Sequence, residues 1–138
     1  MDDTFLTKTV IGVTGINRSK LDQWINRGVI LPVVSSTRRG VPSRFNVENL
    51  VEILLIEDLA TCGISLTESA KIAREVTSEK WRVNNQSSSK LYVSLNLNNP
   101  SERKFHYTRD FRSRWSITIT ISLTPYYSRV LERLRQGK

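Results

Sequence analysis

A short segment near the N-terminus carries polar side chains whose types and spacing suit contacts with the edges of DNA bases. At about 100° per residue, Ser19, Gln23 and Asn26 fall on one side of a helix. Leu21 and Trp24 fall on the opposite side, where they are expected to pack in a core. Glutamine suits the edge of adenine, and lysine can bind guanine or phosphate. The spacing therefore predicts a helix that packs through one face and contacts DNA through the other.

Basic residues flank this helix and occupy the loop that follows it. Arg38 and Arg39 lie in a Gly-containing loop over residues 33–45, where we expect them to contact phosphate or the minor groove. The alternative interpretations are a solvated helix face and a loop without a binding partner. The complete set of predicted DNA-binding residues is Asn17, Arg18, Ser19, Lys20, Gln23, Arg27, Arg38, Arg39, Ser43 and Arg44.

Residue types with catalytic or metal-binding chemistry are sparse. The single cysteine and the single histidine, Cys62 and His106, lie far apart in the sequence. They match neither the spacing of a metal site nor that of a nucleophile and its base. The sequence also lacks a glycine-rich phosphate loop. We therefore expect no enzyme activity, no metal and no cofactor, and we expect Cys62 to be a buried apolar residue.

The charge of the chain is strongly positive and unevenly distributed. The formal net charge is +8 over 138 residues, and the sequence pI is about 10.1, which is typical of nucleic-acid-binding domains. Residues 1–47 contain seven Lys or Arg and three Asp or Glu, residues 48–76 two and six, and residues 77–138 twelve and four. This separation by segment predicts an anionic partner, whereas the simpler alternative is that the charge only maintains solubility.

The sequence gives no signal for export or membrane insertion. It contains no run of about eighteen apolar residues. The acidic start, Met1-Asp2-Asp3, lacks the basic-then-apolar order of a secretory signal. With a single cysteine, the expected location is the reducing cytoplasm, and no membrane partner is expected.

The first half of the chain has the turn and capping signals of a small helical DNA-binding domain. Gly15 permits a tight turn, and Asn17 or Ser19 can cap the following helix. Ser65 and Glu68 have the spacing of a capping box at the start of a later helix. The predicted domain covers residues 1–78, with helices at 9–14, 17–27 and 47–61, a hairpin loop at 33–45 and a helix beginning at residue 65.

The second half, residues 79–138, changes to alternating apolar and polar residues. Alternation predicts half-buried strands over 91–97 and 116–123, with a third strand between them in 104–114. Thr124 and Pro125 then begin a C-terminal helix. The predicted fold class is therefore α+β, a helix-turn-helix with a basic loop followed by a small antiparallel sheet and a helix.

Two features of this tail predict interactions. The apolar strand faces need more cover than one helix can give, which predicts a homodimer formed through residues 90–135. Aromatic and basic residues are interleaved from 103 to 115. That mixture suits stacking on single-stranded nucleic acid, and it suits equally a strand with one packed face and one solvated face. At the level of sequence both interpretations stay open.

Residues 9–76 resemble the DNA-binding domain of MerR-type winged-helix regulators. The resemblance depends on residues 21–32, 42–45 and 62–68. In order and spacing they follow the family's recognition helix and its turn, the return of its wing, and the start of a later helix. The resemblance implies a winged helix-turn-helix fold, with residues 17–27 in the major groove and the loop on the flanking backbone.

Two features depart from that family. Asp22 stands where the family usually has an arginine that can contact phosphate, so more of the DNA contact is expected from the neighbouring cations. The strand-rich tail replaces the long helix through which MerR-type regulators typically dimerise. A dimer of this chain is therefore expected to be built differently.

The expected function is sequence-specific binding of double-stranded DNA by a transcriptional regulator. The first alternative is an architectural, excisionase or DNA-packaging factor of a mobile element or phage, because related winged modules occur in such proteins. The second alternative is a ligand- or protein-binding module in which the tail encloses a ligand. A footprint on a promoter palindrome would favour the regulator, and arrayed direct repeats would favour the first alternative.

Overall fold

The computed structural model describes residues 4–35, 40–78, 91–108 and 111–137. Their fold is α+β, as predicted from the sequence, with a three-stranded antiparallel sheet and a C-terminal helix. Within these ranges, the helices are all too short or too polar to cross a membrane. In chain order the elements are α1 (Thr7–Thr14), α2 (Arg18–Asn26), α3 (Val47–Thr61), α4 (Leu66–Thr77), β1 (Tyr92–Asn96), β2 (Arg103–His106), β3 (Thr118–Ser122) and α5 (Thr124–Gln136).

Side-chain caps define the starts of the two long helices in the first half. Asn46 accepts a hydrogen bond from the Asn49 N–H at 2.9 Å, and the Asn49 side chain accepts one from the Asn46 N–H at 3.1 Å. Ser65 caps α4 by accepting from the Glu68 N–H at 3.2 Å. The capping box predicted there is only half formed, because the Glu68 carboxylate binds Arg103 instead of reaching back.

The sheet has the strand order β2-β1-β3, so β1 is the central strand. Both pairings are antiparallel, with Val93 opposite Phe105 on one side and Ile121 on the other. Alternation predicts that β1 is half-buried, and this prediction is wrong. Val93 faces the hydrophobic core, and Ser94 on the opposite face is fully buried as well. The polar face is covered because neighbouring side chains on both flanking strands hydrogen-bond to Ser94.

One hydrophobic cluster joins the helices of the first half to the sheet and to α5. Leu95 of β1 and Val130 of α5 belong to the same buried cluster as Leu50 of α3. Helix α5 also packs against α3 and α1. The helices of the chain itself therefore cover the apolar face of β1, which removes that face from the argument for a dimer. Ile117, just before β3, keeps 47% of its surface exposed.

The predicted burial of the single thiol is wrong. Cys62 is exposed, because α3 ends at Thr61 and the chain turns away from the helix directly afterwards. Gly63 makes this turn with φ of +89°, in the left-handed region that favours glycine.

Candidate nucleic-acid interface

Helices α1 and α2 are joined by a tight turn at Gly15. This glycine has φ of +78°, and its N–H donates to the Ile11 carbonyl oxygen at 2.9 Å. Asn17 then caps α2 by accepting a hydrogen bond from the Lys20 N–H at 2.7 Å. Asn17 rather than Ser19 is therefore the cap. Its side-chain oxygen is used within the protein to fix the start of α2, and its contact with DNA stays a prediction.

The two faces of α2 follow the prediction from helical spacing. Leu21 and Trp24 are buried, which confirms Trp24 as a core residue. Ser19, Gln23 and Asn26 are exposed on the opposite face. Their side chains make no hydrogen bond with any other residue that the structure describes. Helix α2 thus presents to solvent a row of polar side chains without hydrogen-bond partners among the described residues, while its other face packs in the core.

The cations at the start of α2 already have partners within the protein. The Lys20 ammonium lies 3.1 Å from a Glu57 carboxylate oxygen on α3 and 5.4 Å from the centre of the Trp24 ring. The Arg18 guanidinium lies 3.6 Å from Asp22, one helical turn away. Such exposed pairs contribute about 0–1 kcal/mol. A phosphate could therefore displace either carboxylate, but at the cost of an existing interaction.

Two residues from neighbouring helices fix the end of α2. The Arg74 guanidinium on α4 donates to the carbonyl oxygens of Gly28 and, at 3.2 Å, Val29. The Asn49 amide on α3 donates to the Leu31 carbonyl oxygen at 3.1 Å. Both residues were absent from the predicted site. Asn49 could have been suspected from its capping position in α3, whereas no local signal marks Arg74.

A partly buried carboxylate lies behind this junction. Glu52 on α3 accepts a hydrogen bond from the Thr77 hydroxyl at 2.6 Å and one from the Asn49 amide at 3.4 Å. Burial raises the pKa of Glu52, although these two hydrogen bonds and the charge of Arg74 act to lower it. The group therefore links α3 and α4 next to the residues that hold the end of α2.

The base of the predicted wing consists of two short bridges. Val34 and Arg44 exchange backbone hydrogen bonds of 3.2 and 2.9 Å. Phe45 pairs in the same way with Phe5, at 2.7 and 2.9 Å. Ser43 and Arg44 are half-buried at this base. Of the remaining predicted residues, Arg27 is exposed directly after α2.

Two of the predicted contact residues, Arg38 and Arg39, lie outside the described residues. Their role therefore stays a prediction from the sequence. On the described part of the loop, Val33 is exposed on one side and Gly40 on the other.

Three polar contacts attach the tail to the helical half. Arg103 on β2 binds Glu75 at 2.6 and 2.7 Å and Glu68 at 2.6 Å. The hydrogen bonds with Glu75 raise the pKa of Arg103. On α5, the Arg133 guanidinium donates to the Val13 carbonyl oxygen at 2.8 Å. The third contact is made by Tyr126, whose hydroxyl donates to an Asp58 carboxylate oxygen at 2.5 Å.

In the basic and aromatic segment of the tail, three rings are packed against each other or against the sheet, whereas the Tyr107 ring is 59% exposed. His106 stacks between Tyr92 and Phe111, with ring centres 5.7 and 4.8 Å away, and Phe111 contacts Trp115 at 6.0 Å. Three cations of this segment, Lys104, Arg112 and Arg114, are exposed. The rings stack on each other, which favours the packed interpretation over stacking on nucleic-acid bases.

Both ring nitrogens of His106 lie within hydrogen-bond distance of groups in the protein. Its Nδ1 lies 2.6 Å from the Thr108 carbonyl oxygen, which can only accept, so this nitrogen carries the proton. Its Nε2 lies 2.7 Å from the Ser94 hydroxyl. Among the described residues, no cluster of three His, Cys, Asp or Glu could hold a metal ion.

Comparison with protein-family models and with curated proteins gives no match for this chain. Its function must therefore be inferred from its own geometry and charge.

Proposed function

We propose that the protein binds double-stranded DNA sequence-specifically through a winged helix-turn-helix and acts as a transcriptional regulator. One observation carries the proposal. Helix α2 is anchored by Leu21 and Trp24, while Ser19, Gln23 and Asn26 face solvent without partners among the described residues. A polar helix face held on a rigid support suits base-edge contacts in the major groove, which admits one α-helix.

In the proposed complex α2 lies in the major groove and the wing lies on the flanking backbone. Gln23 would hydrogen-bond with an adenine edge, because its amide offers the donor and acceptor that this edge requires. Arg27 and Arg44, together with Arg38 and Arg39 of the wing, would contact phosphates. These phosphate contacts set the position of the protein on the duplex and do not read its sequence.

The contacts behind α2 support this role because they fix its orientation. Arg74 and Asn49 hold the carbonyl groups that follow α2 against α4 and α3. A recognition helix that is already positioned pays less conformational entropy on binding than a mobile one. The resemblance of residues 9–76 to MerR-type regulators agrees with the same placement of α2 and the wing.

The test is selection of bound duplexes from a random pool, followed by substitution of Gln23. The Gln23→Ala variant should lose about 1–3 kcal/mol of affinity on the selected site and relax the preference at one base pair. Gln136 is an exposed glutamine at the end of α5, so Gln136→Ala is the matched control. It should change neither the affinity for the selected site nor the base-pair preference. Unchanged specificity in Gln23→Ala would mean that this face of α2 does not read DNA.

The pattern of binding separates the regulator from the other DNA-binding roles. Protection of a palindrome within a promoter is the expected result. Protection of arrayed direct repeats would assign the same interface to an architectural, excision or packaging factor. If the random pool yields no enriched sequence and no duplex is retained, the proposal of DNA binding is wrong.

A further inference from the structure

Strand β3 leaves one edge of the described sheet open. On its inner side, the Ile117 carbonyl oxygen accepts from the Leu97 N–H at 3.0 Å, and the Leu123 N–H donates to the Leu91 carbonyl oxygen at 2.8 Å. In an antiparallel ladder, backbone groups of successive residues point to opposite sides of the strand. The backbone N–H and C=O groups of the odd-numbered residues of this strand therefore point toward β1.

It follows that Thr118, Thr120 and Ser122 direct their N–H and C=O groups to the open edge. Within the part of the chain that the structure describes, no other strand pairs with this edge. An edge of this kind is a template for another strand. The exposed fraction agrees with this geometry, because β3 is only partly buried whereas β1 is almost completely buried.

The two edges of the sheet differ in charge. Edge strand β2 carries the charged residues Arg103 and Lys104, and charged side chains are a common protection against unwanted pairing. Strand β3, with the sequence TITIS, contains no charged residue and no proline. Within β3 itself, pairing with a second copy therefore brings no like charges opposite each other.

We propose that β3 is a dimerisation edge, which pairs antiparallel with β3 of a second copy of this chain around a two-fold axis at Thr120. This register uses the outward backbone groups of Thr118, Thr120 and Ser122 in both copies. If the register of the two β3 strands shifted in either direction, some of these outward N–H and C=O groups would have no partner in the other copy. The register places Ile119 opposite the second copy's Ile121 on one face, a favourable pair of β-branched side chains.

A second copy suits this edge better than an unrelated strand because the edge is self-complementary. Two-fold pairing is the simplest closed arrangement for a homo-oligomer. Ile117, which lies just before β3 and is 47% exposed, would gain apolar contact in the same dimer. A single strand pair buries less surface than a typical stable interface. The dimer is therefore expected to depend on protein concentration.

The test is the sedimentation of the full chain without DNA, so its outcome is independent of the proposed function. The wild type should shift from monomer to dimer as its concentration rises. In Thr120→Lys two ammonium groups would meet at the axis, and the dimer should be lost. Thr120→Val is the matched control, because it also loses the 2.7 Å hydrogen bond to Ser94 but adds no charge. It should remain dimeric.

Mixing experiments test the register directly. Thr120→Glu alone should be monomeric, and an equal mixture of Thr120→Lys and Thr120→Glu should recover the dimer, because opposite charges then face each other. A wild type that stays monomeric at high concentration, a dimeric Thr120→Lys, or a folded mixture that stays monomeric would each overturn the proposal.

A further variant is available if Thr120→Lys does not fold. Thr118 is the first residue of β3, a position that tolerates proline. Thr118→Pro removes one outward N–H without touching the ladder to β1, and it should weaken the dimer. A folded Thr118→Pro with the dimerisation curve of the wild type would contradict the proposed edge.

Discussion

Substitution of Arg103 tests whether the tail is firmly attached to the helical half. The guanidinium of this residue makes close contacts with both Glu68 and Glu75, and only 10% of its side chain is exposed. The two glutamates are 21% and 45% exposed. Arg103→Met removes the charge but keeps most of the aliphatic stem, so that the loss measured is mainly that of the ionic contacts.

The expected cost lies between two limits. Fully exposed ion pairs contribute about 0–1 kcal/mol, and removal of one partner from a buried pair costs about 3–5 kcal/mol. Arg103 is nearly buried, but water can reach Glu75 once the guanidinium is gone. We therefore expect Arg103→Met to lower the free energy of unfolding by about 2–3 kcal/mol.

Urea unfolding, followed by circular dichroism, measures this change. The midpoint should fall while the slope m stays constant, because the surface exposed on unfolding is unchanged. The control is Glu57→Gln, which breaks the more exposed pair between α2 and α3 and should cost less than about 1 kcal/mol. An Arg103→Met variant no less stable than Glu57→Gln would refute the reasoning. A lower m would mean that the tail and the helices no longer unfold together.

Two other predictions concern the wing and the Glu52 carboxylate. Arg39→Ala should weaken binding to all duplexes about equally and reduce the slope of log affinity against log salt by about 1. A loss confined to one base pair would instead make Arg39 a base contact. Because burial raises the pKa of Glu52 above 4.5, the folded state holds this proton more tightly than the unfolded chain. The stability of the wild type relative to Glu52→Gln should therefore fall as the pH rises above about 4.5 in urea titrations. The prediction would be contradicted if the difference in free energy of unfolding between the wild type and Glu52→Gln stayed constant with pH. It would also be contradicted if the wild type became relatively more stable as the pH rose.

The parts of the fold set by nearby residues could be predicted from the sequence. The turn at Gly15, the cap at Asn17 and the packed face of α2 depend on residues only a few positions apart. The same is true of Ser65, whose hydroxyl caps α4. Helical periodicity and capping chemistry act over that range, so a single sequence contains the information.

The contacts between distant elements could not be predicted. Arg74, which holds the end of α2, and Arg103, which joins the tail to α4, resemble any other surface arginine in the sequence. Their partners are defined only when α4 packs beside α2 and β2. The convergence of two carbonyl or two carboxylate groups on one guanidinium is a property of the assembled fold. It is not a property of local spacing.

The burial of β1 shows the limit of alternation as a signal. Alternating apolar and polar residues predict one buried face, yet Ser94 is fully buried on the polar face. Its hydroxyl lies 2.7 Å from both His106 Nε2 and the Thr120 hydroxyl, so burial leaves it satisfied. A polar residue can therefore mark a second packed face when neighbouring strands supply its partners, and only the strand register shows that they do.

The net charge of +8 overstates the positive charge that is free to meet DNA. Arg74 and Arg103 are held by carbonyl or carboxylate groups inside the fold, and Lys20 is paired with Glu57. Arg27, directly after α2, is exposed and has no such partner among the described residues. A cation without a partner in the free protein breaks no internal ion pair when it binds phosphate. Its contribution to affinity then comes from the release of counterions alone. The electrostatic part of the proposed interface should therefore lie at the end of α2 and on the wing, with the start of α2 contributing mainly through its polar side chains.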